Sequence, residues 1–137
     1  MKHLIRFNNY NSPDIIEYIR DILTSLADTC HTVTIEPSSY GNRIRFTAAA
    51  DGLIGIEELQ IILQLDNYLK SEGFSQESLF VFKMNKIGRI GDSNKISSLS
   101  ELLDILNNDI SYKVRKISIY YSLPELFYLD NNFRIEL

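Results

Sequence analysis

The sequence LIGIEELQIILQLDNYLKSEG occupies residues 53–73. Wound as a helix, its apolar side chains cover well over half of the circumference and leave one narrow polar strip. This pattern predicts a helix that is buried on most sides, so the other elements are expected to pack around it. We expect Asp51 to cap its start. We expect Gly73 to end it in a left-handed conformation that turns Phe74 back onto Leu69.

On the amino-terminal side of this helix, the hydrophobic pattern predicts one helix and three strands. Residues 13–27 place isoleucines and leucines on one stripe and carry Pro13 in the first turn, as amphipathic helices do. Residues 31–36 and 43–49 alternate apolar and polar side chains, which predicts a hairpin with one face toward solvent. The short apolar segment at residues 3–7 predicts a further strand.

On the carboxyl-terminal side, the pattern predicts a buried strand, a loop and a third helix. Residues 79–84 (LFVFKM) are apolar on both faces, which is typical of an interior strand. Residues 85–97 contain glycines and basic residues and predict a loop. Ser98 and Glu101 form a capping box, which opens a helix that we expect to end near residue 108.

The end of the sequence predicts more strands. Residues 112–121 are expected to form one long strand with a bulge near residues 115–116, because a bulge would let both Val114 and Ile117 face the core. A hairpin is expected after it, with arms at residues 126–129 and 133–137.

Taken in order through residue 84, the predicted elements are β-α-β-β-α-β. We therefore predict an α+β fold with a ferredoxin-like core over about residues 1–84, in which two helices cover one face of an antiparallel sheet. The third helix and the C-terminal antiparallel strands would extend or flank that core. A chain of 137 residues is expected to form a single domain over residues 1–137.

Composition limits the class of protein. The net charge of −4 disfavours a protein that covers a long nucleic-acid backbone, since such proteins present a cationic excess. Cys30 is the only cysteine, and the first residues lack the apolar core of a signal peptide. No apolar segment reaches the roughly 18 residues that a membrane span requires. We therefore predict a cytoplasmic protein with no membrane contact.

Residues suited to catalysis are scarce. Neither histidine has the spacing of a metal site. Cys30 precedes His31, but neighbours in a strand point to opposite faces, so the two are poorly placed to act as nucleophile and base. The sequence also lacks the motifs of nucleotide-binding proteins and serine hydrolases. We predict no catalytic residue, no metal site and no cofactor, and hence a protein that is not an enzyme.

One glycine motif lies among basic residues. Residues 87–91 (IGRIG) resemble the GxxG loop of KH domains, which brings backbone N–H groups close to a phosphate. An anion site here would use Lys86, Gly88 and Arg89. The alternative is a surface turn that needs glycine only for its conformation.

Aromatic residues concentrate near the C-terminus, with six of them between residues 112 and 133. Tyrosine combines a large apolar area with a hydroxyl group that tolerates water, so it occurs at recognition surfaces as well as at core edges. We predict a partner-binding site at Tyr120, Glu125, Tyr128 and Asp130.

These observations favour a small cytoplasmic inhibitor of the immunity, antitoxin or phage-antagonist type, which masks a basic surface of another protein. Two alternatives stay open. One is nucleic-acid or nucleotide binding through the basic loop at residues 83–95, and the other is a dimeric ligand-sensing module. A homodimer is left open as well.

Overall fold

The structure is a computed structural model that describes residues 13–39, 41–125 and 133–137. These residues form three α-helices, one 3-10 helix and one six-stranded antiparallel sheet, which confirms the predicted α+β class. The helices are α1 (Pro13–Leu23), the 3-10 helix (Thr24–Asp28), α2 (Ile56–Ser71) and α3 (Leu99–Asn108). The strands are β1 (Thr32–Pro37), β2 (Arg43–Ala49), β3 (Ser75–Met84), β4 (Ile90–Ile96), β5 (Val114–Ser122) and β6 (Ile135–Glu136).

The central helix α2 starts later than the sequence predicts. Gly55 is its N-cap, and the carboxylate of Glu58 accepts a hydrogen bond from the Gly55 N–H at 2.8 Å. The predicted cap at Asp51 is wrong, because residues 51–54 precede the N-cap and are not helical. The N–H of Ile54 donates to the carbonyl of Val114 at 2.8 Å, which ties this segment to the start of β5 before the helix can begin.

The predicted end of α2 is confirmed. Gly73 has a φ of +96°, and its N–H donates to the carbonyl of Lys70 at 3.1 Å. The N–H of Phe74 donates to the carbonyl of Leu69 at 2.9 Å, and the Phe74 ring is buried. This pair of bonds is the Schellman motif, which satisfies carbonyl groups that a helix end would leave free.

Because Gly73 adopts a left-handed conformation, its substitution tests this account of the helix end. We expect Gly73→Ala to lower the free energy of unfolding by about 1 kcal/mol or slightly more, because an L-residue at positive φ is strained. Gly52→Ala is the matched control, since no atom lies within 4 Å of the added methyl group there. Urea unfolding of both variants measures the difference. An equal effect of the two substitutions would contradict this account of the helix end.

The strand order differs from a ferredoxin-like arrangement. The sheet runs β4-β3-β5-β2-β1-β6, and every neighbouring pair is antiparallel. The place between β3 and β2, which the predicted core gives to residues 3–7, is filled by β5. The predicted strand at residues 3–7 lies outside the described residues. The side chains of Ile117, Ile119 and Tyr121 in β5 are fully buried, as a central strand requires on its core face.

The predicted bulge in β5 is confirmed. Phe82 pairs with Lys116 and Lys83 pairs with Val114, so Arg115 is the extra residue. Both Val114 and Ile117 are fully buried, as predicted. The guanidinium of Arg115 then donates from Nε to the carbonyl of Ala50 at 2.9 Å.

The remaining elements match the sequence pattern to different degrees. β1 and β2 form the predicted hairpin, and α1 ends in the 3-10 helix rather than continuing as α-helix.

Ser98 caps α3 by accepting from the Glu101 N–H at 3.1 Å, while the Glu101 carboxylate bonds to the hydroxyl of Ser97 instead of closing the capping box. The predicted arm at residues 126–129 lies outside the described residues. The second arm contains β6, which pairs with β1.

All three helices pack on the side of the sheet that carries the alternating apolar residues of the strands, and these side chains form one core cluster. A buried polar group crosses this interface. The Tyr121 hydroxyl donates to Oδ1 of Asp66 at 2.7 Å, and Oδ2 of Asp66 lies 2.7 Å from Nζ of Lys70. The contact anchors α2 to the central strand.

Among the described helices, none is long and apolar enough to span a membrane.

Candidate functional site

The candidate site is the side of the sheet opposite the helices, which we call the open face. Since Ile117, Ile119 and Tyr121 point into the core, the alternating residues of β5 point the other way. The register then assigns the matching residues of the other strands to the same side. The open face includes Thr34, Glu36, Arg43, Arg45, Thr47, Phe80, Phe82, Lys95, Lys116, Ser118, Tyr120, Arg134 and Glu136.

Three aromatic rings lie together on this face, on the neighbouring strands β3 and β5. The rings of Phe80 and Tyr120 meet edge to face, with centroids 6.0 Å apart and an interplanar angle of 90°. Nζ of Lys116 lies 4.8 Å from the centroid of the Phe82 ring. All three rings are only half-buried. None of the described helices covers this face, so the three partly exposed rings form a cluster of large apolar groups on it.

The charges of the open face are arranged in pairs at one end and single cations at the other. Arg43 Nε lies 2.8 Å from Glu77, and Glu36 binds both Arg45 and Arg134. Within the described residues, Lys95 and Lys116 have no carboxylate partner. The face is therefore cationic around the rings, although the whole chain carries a net charge of −4.

Arg45 connects the charged end to the rings. Hydrogen bonds from its guanidinium to Glu36 and to the Tyr120 hydroxyl raise the pKa of Arg45. Its Nε is buried and has no hydrogen-bond partner in the described part of the chain. These contacts hold Tyr120 in one orientation, which lowers the entropic cost of using its ring in binding.

The predicted partner-binding residues are only partly described. Tyr120 lies on the open face beside Phe80, and Glu125 is an exposed residue beyond the end of β5. Tyr128 and Asp130 lie outside the described residues. Of the predicted site residues, Tyr120 lies on the open face, together with Phe80 and Phe82 of β3, which the prediction did not include.

The glycine motif forms a tight turn. Residues 85–97 are not a loop, because the chain turns at 85–89 and continues as the edge strand β4. The Asn85 side chain accepts from the N–H groups of Ile87 and Arg89, at 3.1 and 2.9 Å. Gly88 has a φ of +79°, and its N–H donates to the Asn85 carbonyl at 3.0 Å.

These bonds occupy the N–H groups that a phosphate cradle would need. An anion at this turn would instead rely on the exposed side chains of Lys86 and Arg89. The positive φ of Gly88 fits the alternative, a surface turn that needs glycine for its conformation. The anion site at Lys86, Gly88 and Arg89 stays a prediction.

Cys30 and His31 both precede β1, which begins at Thr32, so the predicted strand start at residue 31 is one residue too early and the alternation of a strand does not apply to this pair. Cys30 is buried, and burial raises the pKa of its thiol, which disfavours the nucleophilic thiolate. The His31 ring is exposed, with Nδ1 at 2.8 Å from the Thr32 hydroxyl and Nε2 at 3.6 Å from Asp51. In residues 13–39, 41–125 and 133–137, no group of three or more histidine, cysteine, aspartate or glutamate side chains could hold a metal ion.

Phe80 and Phe82 are surface residues that the sequence pattern did not predict. The apolar sequence LFVFKM predicts a strand that is buried on both faces, although one face carries the two half-buried rings. The sequence of β5 indicates an uncovered face, because its polar residues Lys116, Ser118 and Tyr120 alternate with apolar residues. A central strand with one polar face indicates that the same side of its neighbours is uncovered.

Comparisons with protein-family models, with curated proteins and with solved structures gave no match.

Proposed function

We propose that this chain is a non-enzymatic binding protein whose open face docks onto another protein. The observation that carries the proposal is the cluster of Phe80, Phe82 and Tyr120 on two neighbouring strands. Aromatic side chains at the centre of a contact surface supply much of the binding energy of protein complexes. Between the rings and the charged end of the face lie Thr47 and Ser118, which pair with each other across β2 and β5 and are almost fully covered by their neighbours.

The charges define the partner's surface. The carboxylates Glu36 and Glu77 already have arginine partners, whereas Lys95 and Lys116 do not. A complementary surface would be apolar at its centre and would place carboxylates opposite the two lysines. The net charge of the chain had suggested a basic partner, but the charge of this face favours an acidic one. Blocking such a surface is compatible with an inhibitory role of the immunity or antitoxin type.

Single-stranded nucleic acid is the second candidate, since rings on neighbouring strands with lysines nearby also suit base stacking. The phosphate backbone, however, requires many unpaired cations. The open face offers two such lysines and three carboxylates of its own, Glu36, Glu136 and the adjacent Glu77. A protein partner fits this balance better.

Lys116 provides a test of the docking face. A partner is first captured with the wild-type chain, identified and produced in pure form. We expect Lys116→Glu to slow association about tenfold at low salt, because the substitution reverses a charge that steers the partner. Lys86→Glu is the matched control, since Lys86 lies in the β3–β4 turn and not on the open face. Surface plasmon resonance at two salt concentrations measures both rates.

Two results would contradict the proposal. One is an equal change in association rate for Lys116→Glu and Lys86→Glu. The other is tight binding of a single-stranded oligonucleotide that Lys116→Glu abolishes, which would move the function to nucleic-acid binding.

A further inference from the structure

A second surface lies at the end of the sheet where α2 begins and α3 ends. A groove of about 220 Å³ is lined there by Leu53, Ile56, Leu106, Ile110 and Tyr112, with Asp109 and Lys113 also in its lining. Three of its residues are unusually exposed for large apolar side chains: Leu53 at 44%, Ile56 at 37% and Ile110 at 92%. Exposed apolar residues that line one groove mark an interaction surface rather than scattered surface positions.

The groove combines a protrusion with a cavity. Ile110 lies in the connection between α3 and β5 and projects almost completely into solvent. Beside it, the fully buried Ile54 and Val114 contribute to the lining of the groove. An isoleucine side chain has the size and chemistry to enter such a groove, and Ile110 itself is 92% exposed although it belongs to the lining.

We propose that the occupant of this groove is a second copy of the chain, in a two-fold symmetric dimer in which each copy inserts Ile110 into the groove of the other. A two-fold interface requires that one surface patch complements itself. A projecting apolar residue beside an apolar groove meets this requirement. This surface is separate from the open face, so the dimer leaves the proposed docking face free.

The charges of the groove complement themselves in the same way. Asp109 and Lys113 both line it, on either side of Ile110 in the sequence, and they do not pair with each other. The Asp109 carboxylate is held in place by bonds from the N–H and the hydroxyl of Ser111. In a two-fold dimer, Asp109 of each copy would lie opposite Lys113 of the other, which gives two equivalent ion pairs.

The size of the patch sets the strength of the dimer. Stable interfaces bury about 800 Å² on each partner, and three exposed apolar side chains with their neighbours supply less than that. We therefore expect a weak dimer with a dissociation constant in the micromolar range or above.

Sedimentation velocity of the full chain across a wide concentration range tests this inference. We expect the wild-type chain to shift from monomer to dimer as its concentration rises. Ile110→Asp is expected to remain a monomer, whereas Ile87→Asp, which changes another exposed isoleucine outside the groove, is expected to dimerise like the wild type. Asp109→Lys and Lys113→Glu are each expected to weaken the dimer, and the double variant is expected to restore it.

Three results would overturn the inference. They are a wild-type chain that stays monomeric at every concentration, a dimer that survives Ile110→Asp, and a dimer that Ile87→Asp abolishes as well. If Asp109→Lys does not fold, Ile110→Asp and Lys113→Glu still decide the question. None of these results bears on binding at the open face.

Discussion

Tyr121→Phe is expected to lower the free energy of unfolding by about 2 kcal/mol. The hydroxyl of Tyr121 lies 2.7 Å from Oδ1 of Asp66, and both side chains are buried. Removing the hydroxyl leaves one oxygen of a buried carboxylate without this donor, and among the described residues Lys70 then remains to compensate the charge. A buried acceptor that loses its partner costs more than the average hydrogen bond contributes.

Urea unfolding measures this difference, with Tyr18→Phe as the control. Tyr18 is 51% exposed, so we expect its substitution to change the free energy of unfolding by less than about 0.5 kcal/mol. If the two substitutions have equal effects, the Tyr121 hydrogen bond does not anchor α2 to the sheet.

The same contact predicts a dependence on alkaline pH. Burial, the nearby Asp66 charge and the hydrogen bond to Asp66 raise the pKa of Tyr121 above its ordinary value of 10.0. The unfolded chain then releases this proton near pH 10, while the native protein retains it. The stabilising contribution of Tyr121 is therefore complete below pH 10 and falls above it, by about 1.4 kcal/mol for each pH unit. Tyr121→Phe lacks this loss, so the stability difference between wild type and variant should shrink above pH 10.

Phe82→Ala is expected to weaken binding of the captured partner about 30-fold, which corresponds to about 2 kcal/mol. The Phe82 ring is half-buried on the open face and carries Lys116 above it, so its loss removes both apolar area and the support of a lysine. Isothermal titration calorimetry measures the change, after circular dichroism has shown that the variant folds.

Ile87→Ala serves as the control for Phe82→Ala. Ile87 is 74% exposed but lies in the β3–β4 turn, so we expect its substitution to leave the affinity of the partner unchanged. If Phe82→Ala binds the partner with unchanged affinity, the open face is not the docking surface.

Local interactions explain which parts of the fold the sequence could predict. The end of α2 depends on Gly73 and residues within one turn of it, and it was predicted correctly. The start of α2 depends on a bond between Ile54 and Val114, which are distant in the sequence, and it was predicted wrongly. The strand order was also predicted wrongly, because it depends on contacts between distant residues. The alternation in β5 shows that a strand forms but not which strands it pairs with.

In the candidate site too, the sequence predicts what depends on local residues and does not predict what depends on long-range strand pairing. Composition predicts Tyr120 as part of a binding site, because tyrosines near the C-terminus are typical of recognition surfaces, and this role stays a prediction. Phe80 and Phe82 join it only through the pairing of β3 with β5, which the sequence did not reveal. The bulge at Arg115, in contrast, was predicted because the spacing of Val114 and Ile117 is a local property.

Acetylation of lysines in the free protein and in the complex with its captured partner tests the central claim most directly, because it needs no substitution. Mass spectrometry reports the reactivity of each lysine. If the open face docks the partner, the complex should protect Lys95 and Lys116 while Lys86 and Lys113 react as they do in the free protein. Unchanged reactivity of Lys95 and Lys116, with protection of Lys86 and Lys113 instead, would contradict the account.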